Sequence, residues 1–368
     1  MKVLFCDNSL RNLFNFRGDV IHSFLRKGWN IVIVVPDSEA NDLSIIPDGI
    51  KVYQLSVNPS GLNPLADMRY LWALIKVYCR ECPDYIFHYT IKPNIYGTFA
   101  ARLTGKRTIA MVAGLGYMFT GNSFAKRFGR ALYKVALRLS HRVMVLNKAN
   151  HDLLLERGFV SNKRIILLTG GEGVNLSRFF YQPKEFNETR FLMIARVLYD
   201  KGYTEFAEAA EMVKAKYPNT KIELLGPMAE DSPMGVSKCV VNSDVEAGKF
   251  SYLGETSDVT EYLKQDGVVV VCSSYHEGLN RSLMEACAMG CPAITTNIPG
   301  CRETVEEGEN GLLVPVKDSK ALASAMIRML ELTADEKQKM SSNAHQRAKK
   351  LFNVDSVISV YENIVNSL

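Results

Sequence analysis

The chain lacks a long apolar run and a recognisable leader, and each absence excludes a class of protein. No hydrophobic stretch among its 368 residues approaches the ~18 residues needed to cross a bilayer. The apolar start Met1–Cys6 is followed directly by Asp7, which is too soon for a signal peptide. We therefore expect a cytoplasmic protein whose eight cysteines are reduced and scattered through buried elements.

Motifs for metal or dinucleotide cofactors are also missing. Cys79 and Cys82 form one Cys-x-x-Cys pair, but no second pair stands at the spacing of a zinc site. No Gly-x-Gly-x-x-Gly follows the first predicted strand, and Gly114-x-Gly116 lacks the third glycine that an NAD-dependent oxidoreductase would need. The sequence therefore predicts neither a bound metal nor a redox cofactor.

Acidic residues are absent from residues 101–150, which contain ten Lys and Arg residues. Residues 1–185 hold 25 basic and 13 acidic residues, a net charge of +12, whereas residues 186–368 hold 19 and 26, a net charge of −7. A first half this basic predicts an anionic partner, such as phospholipid headgroups, nucleic acid or a phosphorylated substrate.

Two series of alternating strand and helix patterns follow each other along the chain. A polar stretch at Gln182–Arg190 separates them, and the second series starts with the strand Phe191–Ala195. Such alternation predicts βαβ units and parallel sheets. We expect an α/β chain of two Rossmann-like domains facing an interdomain cleft, residues 1–185 and 186–353, with the amphipathic helix 354–368 joined to the first.

Two acids, Glu277 and Glu285, flank a predicted strand-to-helix junction. The run Val268–Cys272 predicts a buried strand, so Glu277 is expected in the loop at its carboxyl end and Glu285 in the following helix. Open α/β sheets bind ligands at this edge, and a helix N-terminus attracts phosphate. Carboxylates on both sides of a diphosphate would suit the hydroxyls of a nucleotide sugar.

These residues also have ordinary structural interpretations. Ser282 and Glu285 have the spacing of a capping box, and Glu277 could be a solvated loop acid. Arg196 and Lys201 follow the strand Phe191–Ala195, where they could neutralise a diphosphate leaving group or be surface cations of a polar loop.

Several motifs taken together resemble the retaining family-4 glycosyltransferases, which have the GT-B fold, and in particular bacterial capsule, O-antigen and glycan-assembly N-acetylhexosaminyltransferases. The second-half motifs are Gly173–Phe179, Arg196–Gly202, Leu225-Gly226-Pro227, Leu253-Gly254, Glu277-Gly278, Glu285–Thr296, Pro299–Glu303 and Asn310–Pro315. The first half matches more loosely, at Phe14–Arg17, Tyr89–Pro93 and Gly114–Tyr117.

The resemblance implies roles for matching residues. Arg196 and Lys201 would neutralise the diphosphate, Glu277 would bind hydroxyls of the donor sugar, and Glu285 would hold the ribose hydroxyls. The donor site would further include Leu253, Gly254, Gly278, Leu279 and Asn280, and the acceptor side Arg17, His88 and Lys92. Transfer would proceed with retention by front-face attack, without a metal, a cofactor or a protein nucleophile.

The chain departs from the family pattern at three places. Asn280 stands where many relatives have Pro, Asp7-Asn8-Ser9 where many have a Gly-Gly loop, and Ala113 where several have a histidine. His88 is then the remaining histidine at a strand end in the first half, where it could contact substrate or be structural.

Residues 124–139 predict a basic amphipathic helix. Phe124, Phe128, Leu132, Val135 and Leu139 share one face, and the cations occupy the other. The apolar face could pack on the protein's own sheet, or the helix could dock on an anionic membrane surface. No RNA or DNA motif accompanies the charge, so we expect no nucleic-acid partner.

The expected protein is therefore a cytoplasmic glycosyltransferase, peripheral on the inner face of the plasma membrane. It would move a hexose or N-acetylhexosamine from a UDP-sugar to a polyprenyl-diphosphate-linked sugar during surface polysaccharide or glycan assembly. The alternative is a GT-B-like nucleotide-sugar 2-epimerase. An NAD-dependent oxidoreductase and a non-enzymatic membrane-surface scaffold are further rivals.

Overall fold

The computed structural model of the protein describes residues 1–37, 43–57, 63–115, 119, 124–275 and 278–367. Its backbone contacts divide the chain into two units, Met1–Gly173 with Val354–Leu368, and Val174–Asn353. The expected boundary at residues 185 and 186 lies inside the second unit, because Lys184 Nζ donates to the backbone oxygen of Leu263 (2.7 Å). Within the described ranges, no helix has the length and apolar character needed to cross a membrane.

The first unit contains a parallel sheet, which has seven strands in the described residues, in the order β3-β2-β1-β4-β5-β6-β7. The strands are β1 (Lys2–Cys6), β2 (Asn30–Pro36), β3 (Lys51–Leu55), β4 (Tyr85–Tyr89), β5 (Arg107–Val112), β6 (Arg142–Val145) and β7 (Ile165–Leu167). The helices between them are α1 (Leu10–Arg26), α2 (Pro64–Glu81), α3 (Thr98–Leu103), α4 (Phe124–Leu139) and α5 (Lys148–Glu156).

The second unit contains a parallel sheet of six strands among its described residues, in the order β10-β9-β8-β11-β12-β13. They are β8 (Arg190–Ile194), β9 (Lys221–Leu225), β10 (Ser251–Tyr252), β11 (Val268–Val271), β12 (Ala293–Thr296) and β13 (Gly311–Val314). Its helices are α6 (Tyr203–Lys216), α7 (Lys238–Glu246), α8 (Thr260–Leu263), α9 (Arg281–Ala288), α10 (Ser319–Glu331) and α11 (Ala334–Leu351). The last helix, α12 (Val354–Ser367), belongs to the first unit.

Helix starts follow from local side-chain chemistry. Ser9 accepts a hydrogen bond from the backbone N–H of Asn12 and so caps α1 directly after the short loop that follows β1. Asn63 caps α2, which has Pro64 in its first turn. Thr333 and Glu336 form a full capping box at α11. These caps satisfy the N–H groups that a helix start leaves free.

Both sheets are covered by helices, which explains the continuous apolar character of their central strands. All four residues of β11 and all five of β8 are buried. Parallel sheets with both faces covered show this pattern rather than strict alternation. The prediction of two parallel-sheet α/β domains is therefore confirmed.

Candidate functional site

The strand order of the second unit reverses between β8 and β11. Strands β9 and β10 extend the sheet to one side of β8, whereas β12 and β13 extend it beyond β11. In open α/β sheets, ligands bind at the carboxyl ends of the strands where the strand order reverses in this way. The loop after β8 carries Arg196 and Lys201, and the loop after β11 leads through Gly278 to α9.

Direct contacts hold the two loops together. Ser274 donates its backbone N–H to the backbone oxygen of Asp200 (2.9 Å), and its hydroxyl donates to the same oxygen (3.2 Å). The Lys201 ammonium lies 5.6 Å from the ring centroid of Tyr275, within cation–π range. The Arg196 side chain is exposed at the end of β8. The fold therefore brings both predicted cations to the switch point, beside the start of the loop that follows β11.

Two glycines permit the close approach of these strand ends. Gly202 has φ +86°, and a Cβ there would lie 2.2 Å from the backbone oxygen of Cys272. Gly226 has φ +152°, and its Cβ would lie 1.9 Å from the oxygen of Ala195. Glycine is required at both places because a side chain would push the loops apart.

Leu253 and Gly254 lie at the carboxyl end of β10, two strands away from β8. Leu253 donates its N–H to Leu224 (2.9 Å), and Gly254 accepts from the N–H of Gly226 (2.8 Å). These hydrogen bonds link the carboxyl end of β10 to the carboxyl end of β9. Both residues therefore lie at the carboxyl edge of the sheet, as Arg196 does, and their role in donor binding stays a prediction.

The start of α9 corrects one sequence interpretation. Asn280 is the N-cap, and its side chain accepts from the N–H of Leu283 (3.0 Å). The proposed capping box of Ser282 and Glu285 does not form, because Ser282 lies inside the helix. Asn280 also donates its own N–H to the backbone oxygen of Gly300 (2.8 Å), which anchors the turn to the loop after β12. Asparagine thus supplies a cap that proline at this position could not.

Glu285 lies one turn into α9 in a mostly buried setting. Its Oε1 accepts from Arg281 Nε at 2.7 Å, and the two side chains are 13% and 18% exposed. Burial raises the pKa of Glu285, while the positive charges of Arg281 and Arg178 act in the opposite direction. The guanidinium therefore favours the charged carboxylate that hydroxyl recognition would use.

The remaining donor-side residues are only partly placed. Glu277 lies outside the described residues. Gly278 and Leu279 immediately precede the cap of α9, and Leu279 is buried at 8% exposure. The order of these residues along the chain puts them between the end of β11 and the start of α9.

Sequence reasoning did not identify Arg281 or Phe179, the aromatic residue that its guanidinium faces. Arg281 stands four residues before Glu285, a spacing that pairs side chains on one helix face. The sequence therefore contained enough information to predict this ion pair. The guanidinium also lies 5.9 Å from the ring centroid of Phe179, which is buried at 1% exposure. Arg178 lies 5.2 Å from the same ring. No periodic pattern in the sequence could have predicted that residues 178 and 179 contact α9, because the two segments are distant in the chain and meet only in the folded structure.

The first unit has a corresponding switch point between β1 and β4. Asp7 follows β1, and Arg17 of α1 forms ion pairs with Asp7 (3.7 Å) and with Glu172. The Arg17 guanidinium also stacks 4.3 Å from the ring centroid of Tyr89 at the end of β4. Burial raises the pKa of Asp7 to about 6, against the lowering effect of Arg17. Arg17 is therefore a buried, paired cation, and its contact with an acceptor stays a prediction.

Lys92 is a second buried cation of this unit. Its Nζ donates to Asp67 Oδ1 (2.6 Å), and Tyr96 donates its hydroxyl to Asp67 Oδ2 (2.8 Å). The three side chains form one network between the β4 end and α2. A role for Lys92 in acceptor binding also stays a prediction.

His88 is placed differently from the expected substrate contact. Its side chain is fully buried, with Nε2 bonded to the Tyr78 hydroxyl (2.8 Å) and Nδ1 to the Thr108 hydroxyl (2.7 Å). Burial lowers its pKa to about 3, so the ring is neutral near pH 7. Both ring nitrogens are occupied within the core, which corrects the prediction and makes His88 structural.

Helix α4 packs on the sheet through a face that the sequence pattern did not indicate. Tyr133, Ala136 and Leu137 are buried. Phe124 is 86% exposed and Phe128 59% exposed. The helix therefore does dock on the protein's own sheet, but through residues 132, 133, 136 and 137 and not through the two phenylalanines.

Comparisons with known proteins agree with this geometry. Residues 178–347 match the family model described as glycosyl transferases group 1, and residues 2–147 match the model described as glycosyl transferase 4-like. The solved structure of HepE from Anabaena in complex with UDP superposes with a TM-score of 0.81 at 17% identity, over 100% of both chains. That likeness supports the GT-B fold.

Two curated relatives span nearly the full chain. An N,N'-diacetylbacillosaminyl-diphospho-undecaprenol alpha-1,3-N-acetylgalactosaminyltransferase of Campylobacter jejuni is 28% identical, covering 95% of this chain and 94% of its own. A UDP-Gal:alpha-D-GlcNAc-diphosphoundecaprenol alpha-1,3-galactosyltransferase of Escherichia coli is 24% identical, covering 87% and 86%. The oxidoreductase and scaffold interpretations are thereby set aside. With a group 1 match in the second half, a 4-like match in the first half and the GT-B fold, the chain is a glycosyltransferase.

Proposed function

We propose that this glycosyltransferase moves a hexose or N-acetylhexosamine from a UDP-sugar to a saccharide carried on a polyprenyl diphosphate, with retention and without a metal. The observation that carries the donor assignment is that the loop after β8, which contains Arg196 and Lys201, is bonded to the loop after β11 through Asp200 and Ser274. Two cations and a helix start at one sheet edge form a site suited to a diphosphate.

The two cations, Arg196 and Lys201, are proposed to help the sugar–phosphate bond break. Negative charge grows on the diphosphate as that bond breaks, and cations fixed by the fold stabilise it without having to reorganise. Lys201 precedes the tightly packed Gly202 turn, and its ammonium lies 5.6 Å from the ring centroid of Tyr275. In the proposed front-face reaction the acceptor hydroxyl attacks on the leaving-group side, and the departing phosphate takes its proton.

The two acids are proposed to bind different parts of the donor, one the ribose and the other the transferred sugar. Glu285, paired with Arg281, would accept hydrogen bonds from the ribose hydroxyls. Glu277 would bind the hydroxyls of the transferred sugar. The nucleotide is proposed as UDP because the Anabaena structure contains UDP and the Escherichia coli relative uses a UDP-sugar.

The acceptor proposal comes from the curated relatives and from charge. Both relatives named above act on sugars linked to undecaprenol through a diphosphate. The net charge of +12 over residues 1–185 favours an anionic lipid carrier near the first unit. No observation favours a 2-epimerase.

We also propose that α4 brings the enzyme to the inner face of the plasma membrane. Phe124 and Phe128 are exposed at its start, and Lys126, Arg127 and Arg130 lie within the same turns. Aromatic side chains among cations are typical of helices that bind at an anionic membrane interface. In a vesicle sedimentation assay, Phe124→Ser with Phe128→Ser should weaken binding, whereas Met212→Ser with Val316→Ser, two exposed apolar positions of the second unit, should not.

The activity test uses the purified chain with a panel of radiolabelled UDP-, GDP- and ADP-sugars and a bacterial lipid extract. We expect label in extracted lipid with a UDP-sugar, undiminished by EDTA, and an anomeric configuration in the product that matches the donor. Release of UDP that is equally fast without acceptor would argue against transfer. Activity abolished by EDTA, or an inverted product, would contradict the proposed mechanism.

A further inference from the structure

Four arginines converge at the amino edge of the first unit's sheet, opposite the edge that carries Asp7 and Tyr89. Arg107 and Arg142 open β5 and β6, Arg164 directly precedes β7, and Arg102 lies at the end of α3. Because parallel strands start at one edge, these side chains belong to a single surface. We call Arg102, Arg107, Arg142 and Arg164 the arginine cluster.

His141 lies at the centre of the arginine cluster. Its backbone N–H donates to Thr108 (2.9 Å), and its Nδ1 accepts from the N–H of Thr108 (3.2 Å), which fixes the ring between β5 and β6. Burial and the charges of all four arginines lower the pKa of His141. All four arginines are therefore near His141, and together they give this surface a positive charge.

The cluster has no acidic counterpart among the described residues. Its hydrogen bonds go instead to neutral oxygens: the hydroxyl of Tyr85 and the backbone oxygens of His141 and Arg138. Asp84 lines an adjacent depression of about 590 Å³ with Arg107, but it accepts from the backbone N–H of Lys2 (2.7 Å). Like charges on one surface repel one another, and an external anion would relieve that repulsion.

We propose that the arginine cluster binds the phosphate headgroups of an anionic membrane, as a second contact in addition to the start of α4. The inference rests on the membrane association proposed above. Guanidinium groups present paired donors to phosphate oxygens, and Arg102, Arg107 and Arg164 are exposed. Leu103, beside Arg102, is 71% exposed and offers an apolar side chain that a bilayer would accept and a nucleic-acid backbone would not use.

The cluster adjoins one end of α4. Arg164 Nη1 donates to the backbone oxygen of Arg138 in the last turn (2.6 Å), whereas Phe124 opens the first turn. The 16 residues of α4 span about 24 Å at 1.5 Å per residue. Contacts at both ends require the helix to lie along the membrane rather than to enter it by its tip.

The test combines a charge-removing variant with a matched control. The cluster variant is Arg102→Gln, Arg107→Gln and Arg164→Gln, all at exposed positions. The control, Lys238→Gln, Lys339→Gln and Lys349→Gln, removes the same charge from exposed positions of the second unit. Binding is measured by sedimentation with phosphatidylcholine vesicles, with and without phosphatidylglycerol, and transfer with a detergent-dispersed acceptor is measured in parallel.

We expect the cluster variant to bind phosphatidylglycerol vesicles about 100-fold more weakly, from about fivefold per charge. The control should change by less than threefold, and replacement of the same three arginines by lysine should restore most of the binding. Unchanged urea unfolding and unchanged transfer in detergent would show that fold and chemistry are intact. If the wild-type chain itself shows no transfer in detergent, that result would count against the proposed function and not against the membrane contact.

Three results would overturn the proposal. The cluster variant could bind anionic vesicles as tightly as the control. The wild-type chain could show no preference for phosphatidylglycerol over phosphatidylcholine alone. Finally, the cluster substitutions could weaken binding of a single-stranded RNA or of inorganic phosphate while leaving vesicle binding unchanged, which would assign the surface to another anion.

Discussion

Arg281 Nε lies 2.7 Å from Glu285 Oε1, one turn away on the same face of α9. Glu285 is the acid to which the resemblance assigns the ribose hydroxyls, and its pKa is raised by burial and lowered by Arg281. The pair places a carboxyl group beside a cation in a mostly buried position next to the switch point. Its geometry leads to the first prediction.

Arg281→Met should weaken donor binding more than it slows the reaction. Without this cation, burial raises the pKa of Glu285 further, so the carboxylate takes up its proton at a higher pH. The acidic limb of kcat/KM for the donor should therefore move to higher pH. A lost charge-assisted hydrogen bond is worth about 10- to 100-fold in donor KM, measured by steady-state kinetics at several pH values.

Arg281→Lys and Glu285→Gln are the matched controls. Lysine should keep the acidic limb close to that of the wild type, and Glu285→Gln should remove the limb together with tight donor binding. An acidic limb that does not move in Arg281→Met would contradict the role given to this pair.

Lys201→Met should lower kcat rather than stability. The Lys201 ammonium is proposed to stabilise the leaving diphosphate, a kind of contact whose removal costs about 100- to 1,000-fold in kcat. Arg196→Met should have an effect of the same kind, since Arg196 is exposed and its removal leaves no cavity. Single-turnover transfer measures the chemical step, with Lys238→Met as a surface control. A change confined to donor KM would assign the lysine to ground-state binding.

Gly202→Ala should destabilise the second unit far more than Gly248→Ala. Both glycines have positive φ, +86° and +74°, so alanine strains the backbone by about 1–2 kcal/mol at each. Only at residue 202 would the new Cβ meet another backbone, 2.2 Å from the oxygen of Cys272. We expect the difference to appear in the free energy of unfolding in urea, together with a loss of transfer in Gly202→Ala alone. Equal losses in the two variants would show that the loop contact is not tight.

His88 should make stability depend on pH between about 3 and 6.5. Its folded pKa of about 3 lies below the ordinary value of 6.5, so the unfolded chain binds more protons in this window. The contribution of His88 to the free energy of unfolding is complete above pH 6.5. It falls by up to about 1.4 kcal/mol per pH unit as the pH is lowered. Asp7, with a raised pKa of about 6, acts with the opposite sign.

A His88→Gln variant separates the two groups, because Asp7 is common to both proteins. Between pH 7 and pH 5 the wild type should lose more unfolding free energy than the variant, as measured by urea titration. The variant should also be less stable at pH 7, since two buried hydrogen bonds are disturbed. Parallel pH curves for the two proteins would mean that His88 is accessible to protons in the folded state.

Much of the second-half site could be predicted from the sequence. Strand runs such as Val268–Cys272 and the motif residues after them have local signals, and the topology of parallel strands then puts Arg196 and Lys201 at one edge. The sequence also allows Ser282 as the cap of α9, since Asn280 and Ser282 are both good caps and only the course of the backbone distinguishes them.

By itself, the sequence determined the two α/β units, the family and the order of the site residues along the chain, because periodicity and motif spacing are local properties. Only the tertiary structure decided which side chains are available to a ligand. His88 and Arg17 have their partners at Thr108 and Glu172, far along the chain, and the exposed face of α4 depends on which side chains the sheet can accommodate. Burial and pairing arise from contacts between distant segments, so no local pattern encodes them.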